Sequence, residues 1–373
     1  GFSSDRTYGA ILPYTTQQIR VCCHTQSPSR KVHVMRFVWG ALSIILTAFA
    51  VITVKPELVA ADYALQTPFA QMLAMRGWIA VGFAAIGVFF LVIGVLRFFL
   101  RGRGRIALAF SIAMLLVAGL HAGTMYSRGI TNNQALSGQA GNGSITVLQY
   151  NTMGGKVDTG DLAQTIADSG VSVVTLPETS TESGQEIVHK LAGLGLEFQQ
   201  FDTGTSGYEA DYRSTVMLVS ADMGQYNQVD IFGQETEPQA VKAVPVDGDG
   251  PTLIGIHTLS PGRDHMDAWA SQIEQAYSLC ESEPDAIISG DFNSTKDHEA
   301  ALQLPQSCRD TVAQAGSGSV GTWPVKISPL LASPIDRVLT TSTYEGTSAA
   351  FIDLGGSDHR GVIVRLSPAA SAA

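Results

Sequence analysis

At 373 residues the chain has room for more than one unit, and its net charge of −10 hides a sharp division. Residues 145–373 carry 30 acidic against 11 basic side chains, a net of −19, while the rest of the chain carries +9. A domain this acidic repels polyanions unless a metal or a local basic patch intervenes, which argues against generic nucleic-acid binding.

In chain order, residues 1–34 read as an N-terminal extension without structural role, because Met35-Arg36 stands where a translation start would suit the apolar run that follows. Cys22 and Cys23 lie within it, with no metal-type spacing around them. A membrane anchor is expected over 35–124. Its three apolar stretches are Phe37–Val54, Trp78–Leu96 and Ile106–Gly123; the first two are uncharged and the third holds only His121 as a titratable group. Each approaches the ~20 residues that cross a bilayer as a helix, and none has the polar face of a soluble core helix. Arg30, Lys31 and Arg36 precede the first stretch, and Arg97, Arg101, Arg103 and Arg105 crowd the link between the second and third. The excess of basic residues places both regions in the cytoplasm. Three crossings then leave everything after residue 124 outside a cytoplasmic membrane. Val59-Ala60-Ala61 resembles a signal-peptidase site, whose use would remove the first span and leave the next two as a hairpin. Residues 125–144, rich in Gly, Ser and Asn, read as a flexible tether.

From 145 onward, short apolar or β-branched runs alternate with helix-like stretches, the pattern of an α/β or layered α+β fold. Strands are expected at 144–150, 171–176, 214–220, 253–258, 286–289, 335–340 and 361–366, and helices at 161–169 and 265–280. Cys280 and Cys308 would be bridged only in an oxidising compartment; two buried free thiols are the alternative. Trp269 and Trp323 read as packing residues, and the Gly-rich runs 141–143 and 316–321 lack the lysine of a nucleotide-binding loop.

Polar residues of one class recur at the ends of these strands: Asn151, Glu178, His257, Asp291 with Asn293, Asp336, and Asp358-His359. Singly, each is an ordinary turn former or structural residue. As a set, they are how a sheet presents a shared polar site at its rim.

The series GDFN (290–293) and SDH (357–359), supported by PE (177–178) and PID (334–336), resembles the endonuclease/exonuclease/phosphatase superfamily. GTWP (321–324) resembles a membrane-associated bacterial branch of it. The resemblance covers nearly all of 145–373. It implies a four-layer sandwich of two packed mixed β-sheets flanked by helices, preceded here by three transmembrane helices. It also implies a Mg²⁺ or Mn²⁺ held by Glu178, with Asn151 close by and Asp358 helping directly or through water. His359 would contact the phosphoryl group, oriented by Asp336. Asp291 would align or deprotonate the attacking water, Asn293 would donate to a non-bridging oxygen, and His257 would act as a second imidazole. Arg337 departs from the His or aromatic of many relatives, and either touches phosphate or pairs with an acid.

The expected function is hydrolysis of a phosphomono- or diester, small or lipid-linked, by an enzyme held in the bilayer. The alternatives are an outward-facing nuclease and a non-catalytic surface module of the same fold. Decay of a metal or histidine position would mark the latter, and every position is intact.

Overall fold

The computed structural model describes residues 30–58, 61–204, 213–232 and 238–369. Cys22, Cys23 and most of the expected extension lie outside the described residues, as do Val59 and Ala60. Two compact units divide the chain, Gly1–Ile45 and Leu46–Ala373, and every described strand belongs to the second.

The helices, in chain order, are α1 (Arg30–Val54), α2 (Ala61–Ala64), α3 (Phe69–Ala74), α4 (Arg76–Arg101), α5 (Arg105–Arg128), α6 (Thr159–Ser169), α7 (Thr181–Gly193), α8 (Met266–Ser282), α9 (Lys296–Leu302) and α10 (Thr311–Gln314). Three segments are long and apolar enough to cross a membrane: Phe37–Val54 within α1, then α4 and α5, with mean hydropathies of 2.3, 2.8 and 2.1. The last two are longer than the apolar runs suggested, because the helical backbone continues through the flanking arginines.

The strands are β1 (Ile145–Gln149), β2 (Val173–Pro177), β3 (Phe198–Asp202), β4 (Thr215–Ser220), β5 (Tyr226–Val229), β6 (Gln239–Pro245), β7 (Thr252–His257), β8 (Ala286–Asp291), β9 (Arg309–Asp310), β10 (Asp336–Thr340), β11 (Tyr344–Ile352) and β12 (Gly361–Pro368). They form two six-stranded sheets, β11-β12-β1-β2-β4-β3 and β5-β6-β7-β8-β10-β9. Both are mixed, with β1/β2 and β7/β8 parallel and the remaining pairs antiparallel. Val147, Val173 and Met217 from the first sheet meet Val241, Leu253, Ile287 and Val338 from the second in the central core. Outside it, α6 and α7 bury Leu162, Ile166, Ile187 and Leu191 on the first sheet, and α8 buries Trp269, Ile273 and Tyr277 on the second. The result is the four-layer sandwich that the motifs implied.

Local chemistry sets the element ends. Asp158 caps α6 by accepting from the N–H groups of Gly160 and Asp161, and Ser180 caps α7 through Ser183 N–H. Gly290, in the GDFN run, sits where a Cβ would fall 1.8 Å from Ile256 O, so the parallel pairing of β7 with β8 at this point requires glycine.

The sequence expectation did not name β3, β5, β6, β9 and β11 or α7, α9 and α10, and two further regions differ from it. The segment between the first two spans, where the sequence shows no long apolar run, forms α2 and α3, and Ala64 and Leu73 pack with Ala301 of α9. Of the stretch 125–144 expected as a flexible tether, residues 125–128 complete α5 and 129–144 lie along the domain surface. Thr131 N–H donates to Gly316 O, Ser137 N–H to Ser348 Oγ, and Phe351 N–H to Asn133 O. Leu136 packs on the helical side of the first sheet. The physical reason is that β11 is an edge strand with unpaired backbone groups, and the polar stretch covers it.

One carboxylate joins the helical hairpin to the domain. Arg76, the first residue of α4, donates through Nε and Nη2 to the two oxygens of Asp297 at 2.8 and 2.7 Å; Arg128, the last residue of α5, donates at 2.6 Å. Arg76 and Asp297 are buried. Burial alone would raise the Asp297 carboxyl, but the two guanidiniums outweigh it and hold it well below the usual carboxylate range. Asp297→Ala would leave two arginines without their buried partner, at a cost of roughly 3–5 kcal/mol. A clearly lower thermal unfolding midpoint of the full chain in detergent is expected, and an unchanged midpoint would contradict this role.

Cys280, near the end of α8, and Cys308, before β9, form a disulfide with Cα atoms 5.0 Å apart. In chain isolated from its native membranes without reductant, denaturing alkylation should label neither cysteine until reductant is added; labelling of both beforehand would refute the bridge.

Candidate active site

The strand-end residues singled out in the sequence converge at one rim of the sandwich. Asn151, Glu178 and His359 come from the first sheet and its connections, and His257, Asp291 and Asp336 from the second. Along β1, Ile145 and Val147 face the other sheet, and the same alternation brings Gln149 and Asn151 to the seam between the sheets.

The tightest contact is between Asp336 and His359. His359 Nδ1 lies 2.7 Å from Asp336 Oδ2, while Gln149 Nε2 donates to Asp336 Oδ1 at 2.9 Å. Burial opposes protonation of His359, but Asp336, with smaller help from Asp291 and Asp358, overrides it and pushes the imidazole up to about 10. His257 experiences the reverse: burial dominates and lowers its pKa, which favours the neutral imidazole. Asp291 is buried and pushed upward, first by desolvation and then by the neighbouring Asp336 charge. Glu178 is also raised, chiefly by burial.

Asn151 organises the carboxylates. Its Nδ2 donates to Glu178 Oε1 and to Asp291 Oδ2, both at 3.1 Å, and its Oδ1 accepts from Met153 N–H at 2.9 Å. The Met153 contact fixes the amide orientation, so Asn151, grouped with the metal-holding residues in the sequence, here presents its nitrogen to the carboxylates. Glu178 has φ +56 and Asn293 φ +44, a left-handed backbone that costs a non-glycine residue roughly 1–2 kcal/mol. Hydrogen bonds hold both in place. Thr152 Oγ1 and Gly155 N–H donate to Glu178 O, and Asn293 N–H donates to Asp291 Oδ1. Asn293 Nδ2 donates to Thr258 O at 2.9 Å.

The SDH run is held by its own serine. Ser357 Oγ donates to Asn151 O and accepts from His359 N–H. Asp358 Oδ2 accepts from Trp323 Nε1 at 2.8 Å, so Trp323 does more than pack. Trp269 is fully buried and donates to Asn293 O. Arg337 faces away from the rim and pairs with Glu299 and Asp310, which answers its departure from relatives in favour of ion pairing.

Across the centre, imidazole and carboxylate atoms stand apart. His257 Nε2 is 3.9 Å from Glu178 Oε1 and 4.0 Å from Asp291 Oδ2; His359 Nε2 is 3.8 Å from Asp291 Oδ2 and 3.9 Å from Asp358 Oδ1. These exceed hydrogen-bond length and leave room for an ion or phosphoryl oxygen between them. Asp291, Asp336 and His359 offer ligand atoms within 4.8 Å of one another, but both Asp336 oxygens already serve His359 and Gln149. Glu178, Asp291 and Asp358 line the same cleft, and their carboxylate oxygens are the donor type that a hard divalent cation takes. Four carboxylates face one protonated imidazole, an excess of negative charge that suits such an ion.

The site lies in a cleft of about 1010 Å³ that also includes Met153, Arg213, Thr258, Leu259, Ile335 and, from the membrane half, Gln71, Ala74 and Met75. Gln149 and these last three were missed in the sequence, while Trp323 was read only as packing and Ser357 only as part of the SDH run. Only Gln149 had a readable signal, a polar residue on the inward face of a buried strand.

A family model described as the Endonuclease/Exonuclease/phosphatase family matches residues 148–359, and the chain belongs to that family. No curated protein matches. Among solved structures, it is similar to humanized D. rerio TDP2 (17% identity, TM-score 0.49, 60% of this chain and 99% of that one). It is also similar to truncated Caenorhabditis elegans TDP2 (17%, 0.46, 61% and 99%) and to an endonuclease/exonuclease/phosphatase from Beutenbergia cavernae (16%, 0.45, 61% and 72%).

The Asp336–His359 pair makes stability depend on pH. Because folding raises the imidazole pKa, its contribution is complete below the ordinary value of about 6.5 and is lost as pH rises through about 10. Between about pH 7 and pH 11 the unfolding midpoint should fall more for the wild type than for Asp336→Asn. Parallel curves would argue against the pair.

Proposed function

We propose that this chain is a membrane-anchored phosphoesterase that uses Mg²⁺ or Mn²⁺ and acts on the outer side of the cytoplasmic membrane. The observation that carries the reading is the geometry around two imidazoles: His359, paired with Asp336, stands 3.8 and 3.9 Å from Asp291 and Asp358, and His257 stands 3.9 and 4.0 Å from Glu178 and Asp291. Enzymes of this family are typically divalent-metal-dependent hydrolases of phosphoester bonds.

Glu178 and Asp358 would hold the cation, with Asn151 keeping Glu178 and Asp291 in register and Trp323 orienting Asp358. When bound, the cation supplies neutralisation of charge on the phosphoryl oxygens. His359, held in its charged form by Asp336, donates a hydrogen bond to a non-bridging oxygen. Asp291, whose proton affinity is raised toward neutrality, takes the proton of the attacking water. His257 serves as a second donor, and Asn293, turned inward by its left-handed backbone, offers its amide to the phosphate. Water oxygen bonds to phosphorus as the ester P–O bond breaks, and the leaving oxygen takes up a proton.

The orientation rests on the basic residues flanking the spans, and the Cys280–Cys308 bridge agrees with an oxidising compartment. The net charge of −19 over 145–373 favours a small or lipid-linked ester over bulk nucleic acid.

The test uses the full chain in detergent with Mg²⁺ or Mn²⁺ on chromogenic phosphate mono- and diesters, and on plasmid DNA. Hydrolysis should disappear on chelation and fall by at least about a hundredfold in His359→Ala. Activity should rise with pH as Asp291 ionises, above the ordinary aspartate range, and fall as His359 loses its proton near 10. Cleavage of plasmid alone would favour the nuclease reading. Folded, metal-loaded protein inert on every ester would favour the non-catalytic module.

A further inference from the structure

Part of the cleft wall comes from the membrane half. Gln71 and Ala74 belong to α3, and Met75 immediately precedes α4, whose first residue begins a candidate span. These residues line the same cleft as Glu178, Asp291, Asp358 and His359.

The wall is fastened to the domain by specific bonds. His298 Nδ1 accepts from Thr295 N–H at 2.9 Å, which leaves Nε2–H to donate to Ala70 O at 2.8 Å. Gln71 Nε2 donates to Pro261 O at 2.7 Å, tying α3 to the loop after β7. Ala70 is buried in the cluster that contains Trp269 and Phe292. Gly77 packs so closely on the domain that a Cβ would fall 2.1 Å from Leu330 O. With Arg76 held on Asp297, α3 and the first turn of α4 have one position against the catalytic residues.

That position is at the edge of the bilayer. Ala74 and Met75 are two and one residues from the start of α4, at most about 7 Å away even along fully extended chain. The headgroup region of one leaflet is roughly 5–8 Å deep, so the wall lies within it when α4 spans. Tyr63 and Trp78, both exposed, bracket the segment as aromatic residues do at a membrane surface. Met75, Ala74, Leu259 and Pro261 make this part of the cleft largely apolar, whereas the carboxylates and imidazoles occupy the rest.

We propose that Gln71, Ala74 and Met75 form a substrate subsite that takes the glycerol and upper acyl portion of a bilayer phospholipid while its phosphoester lies among Glu178, Asp291 and His359. The inference rests on the phosphoesterase reading and names its substrate class. The lipid remains in the leaflet and only its headgroup rises into the cleft. Water then cleaves one headgroup P–O bond, with oxygen going to phosphorus and a proton to the leaving alkoxide.

The full chain, reconstituted in vesicles of phosphatidylethanolamine and phosphatidylglycerol with Mg²⁺ or Mn²⁺, is assayed for release of headgroup products and, in parallel, on bis(p-nitrophenyl) phosphate. Two variants accompany it: Met75→Asp, which places a charge in the apolar wall, and Ala74→Phe, which fills it. Unfolding midpoints check the fold. The ratio of lipid to soluble-ester turnover should fall by about tenfold or more in each. An unchanged ratio in both, or a wild type that turns over the soluble ester and no lipid, overturns the subsite and leaves the phosphoesterase reading standing. If only lipid is turned over, its loss in both variants at an unchanged midpoint supports the subsite and its retention overturns it. A wild type inert on both substrates overturns the phosphoesterase reading and this inference with it.

Discussion

A carboxylate on one sheet and an imidazole carried by the other, 2.7 Å apart and both buried, close the sandwich at its rim. Asp336 begins β10 and His359 stands two residues before β12, so the pair forms only when the two sheets are packed in this register. Gln149 on β1 reaches across the same seam to Asp336, and Asn151 reaches across it to Asp291. Buried charges of this kind are tolerated because each has a partner, and the partners are supplied by opposite sheets. The site is thus a property of the packing of two layers.

The carboxylates that the seam gathers are more numerous than the cations that offset them. Glu178 and Asp291 are both driven toward their neutral forms by burial, and His359 is driven toward its charged form by the acids around it. The pKa values of an acid and an imidazole are both displaced upward, one rising toward neutrality and the other rising beyond it. That arrangement suits a carboxylate that takes up a proton more readily than a free aspartate and an imidazolium donor that keeps its charge. The left-handed backbone at Glu178 and Asn293 shows where the chain accepts local strain to present these groups.

The GDFN run does two jobs over a few residues. Asp291 and Asn293 face the cleft, and the chain then turns through a capping box at Thr295 into α9, where Asp297 binds Arg76 and Arg128 and His298 holds Ala70. The cleft rim and the contact with α4 and α5 are therefore only a few residues apart in the chain. The membrane helices are not a leash attached at a distance: their ends are bonded to the element that follows the site.

The apolar runs of the spans, the strands that carry the motif residues and the eight polar site positions were legible in the sequence, because bilayer crossing and strand burial depend on local composition and period. The strands β3, β5, β6, β9 and β11 were not; in β3 Gln199 and Gln200, and in β11 Gly346, Thr347 and Ser348, weaken the apolar signal, and the place of such strands is decided by neighbours. The same holds for the polar stretch from 129 to 144, whose composition reads as a tether until an edge strand is there to receive it. Which nitrogen of His359 meets Asp336, that Arg337 pairs with Glu299 and Asp310, and that Met75 shares a cleft with Glu178 are contacts between residues distant in the chain. Residue type and spacing determined what chemistry this protein carries; only the tertiary structure decided what faces it, because long-range packing chooses partners that no local pattern encodes.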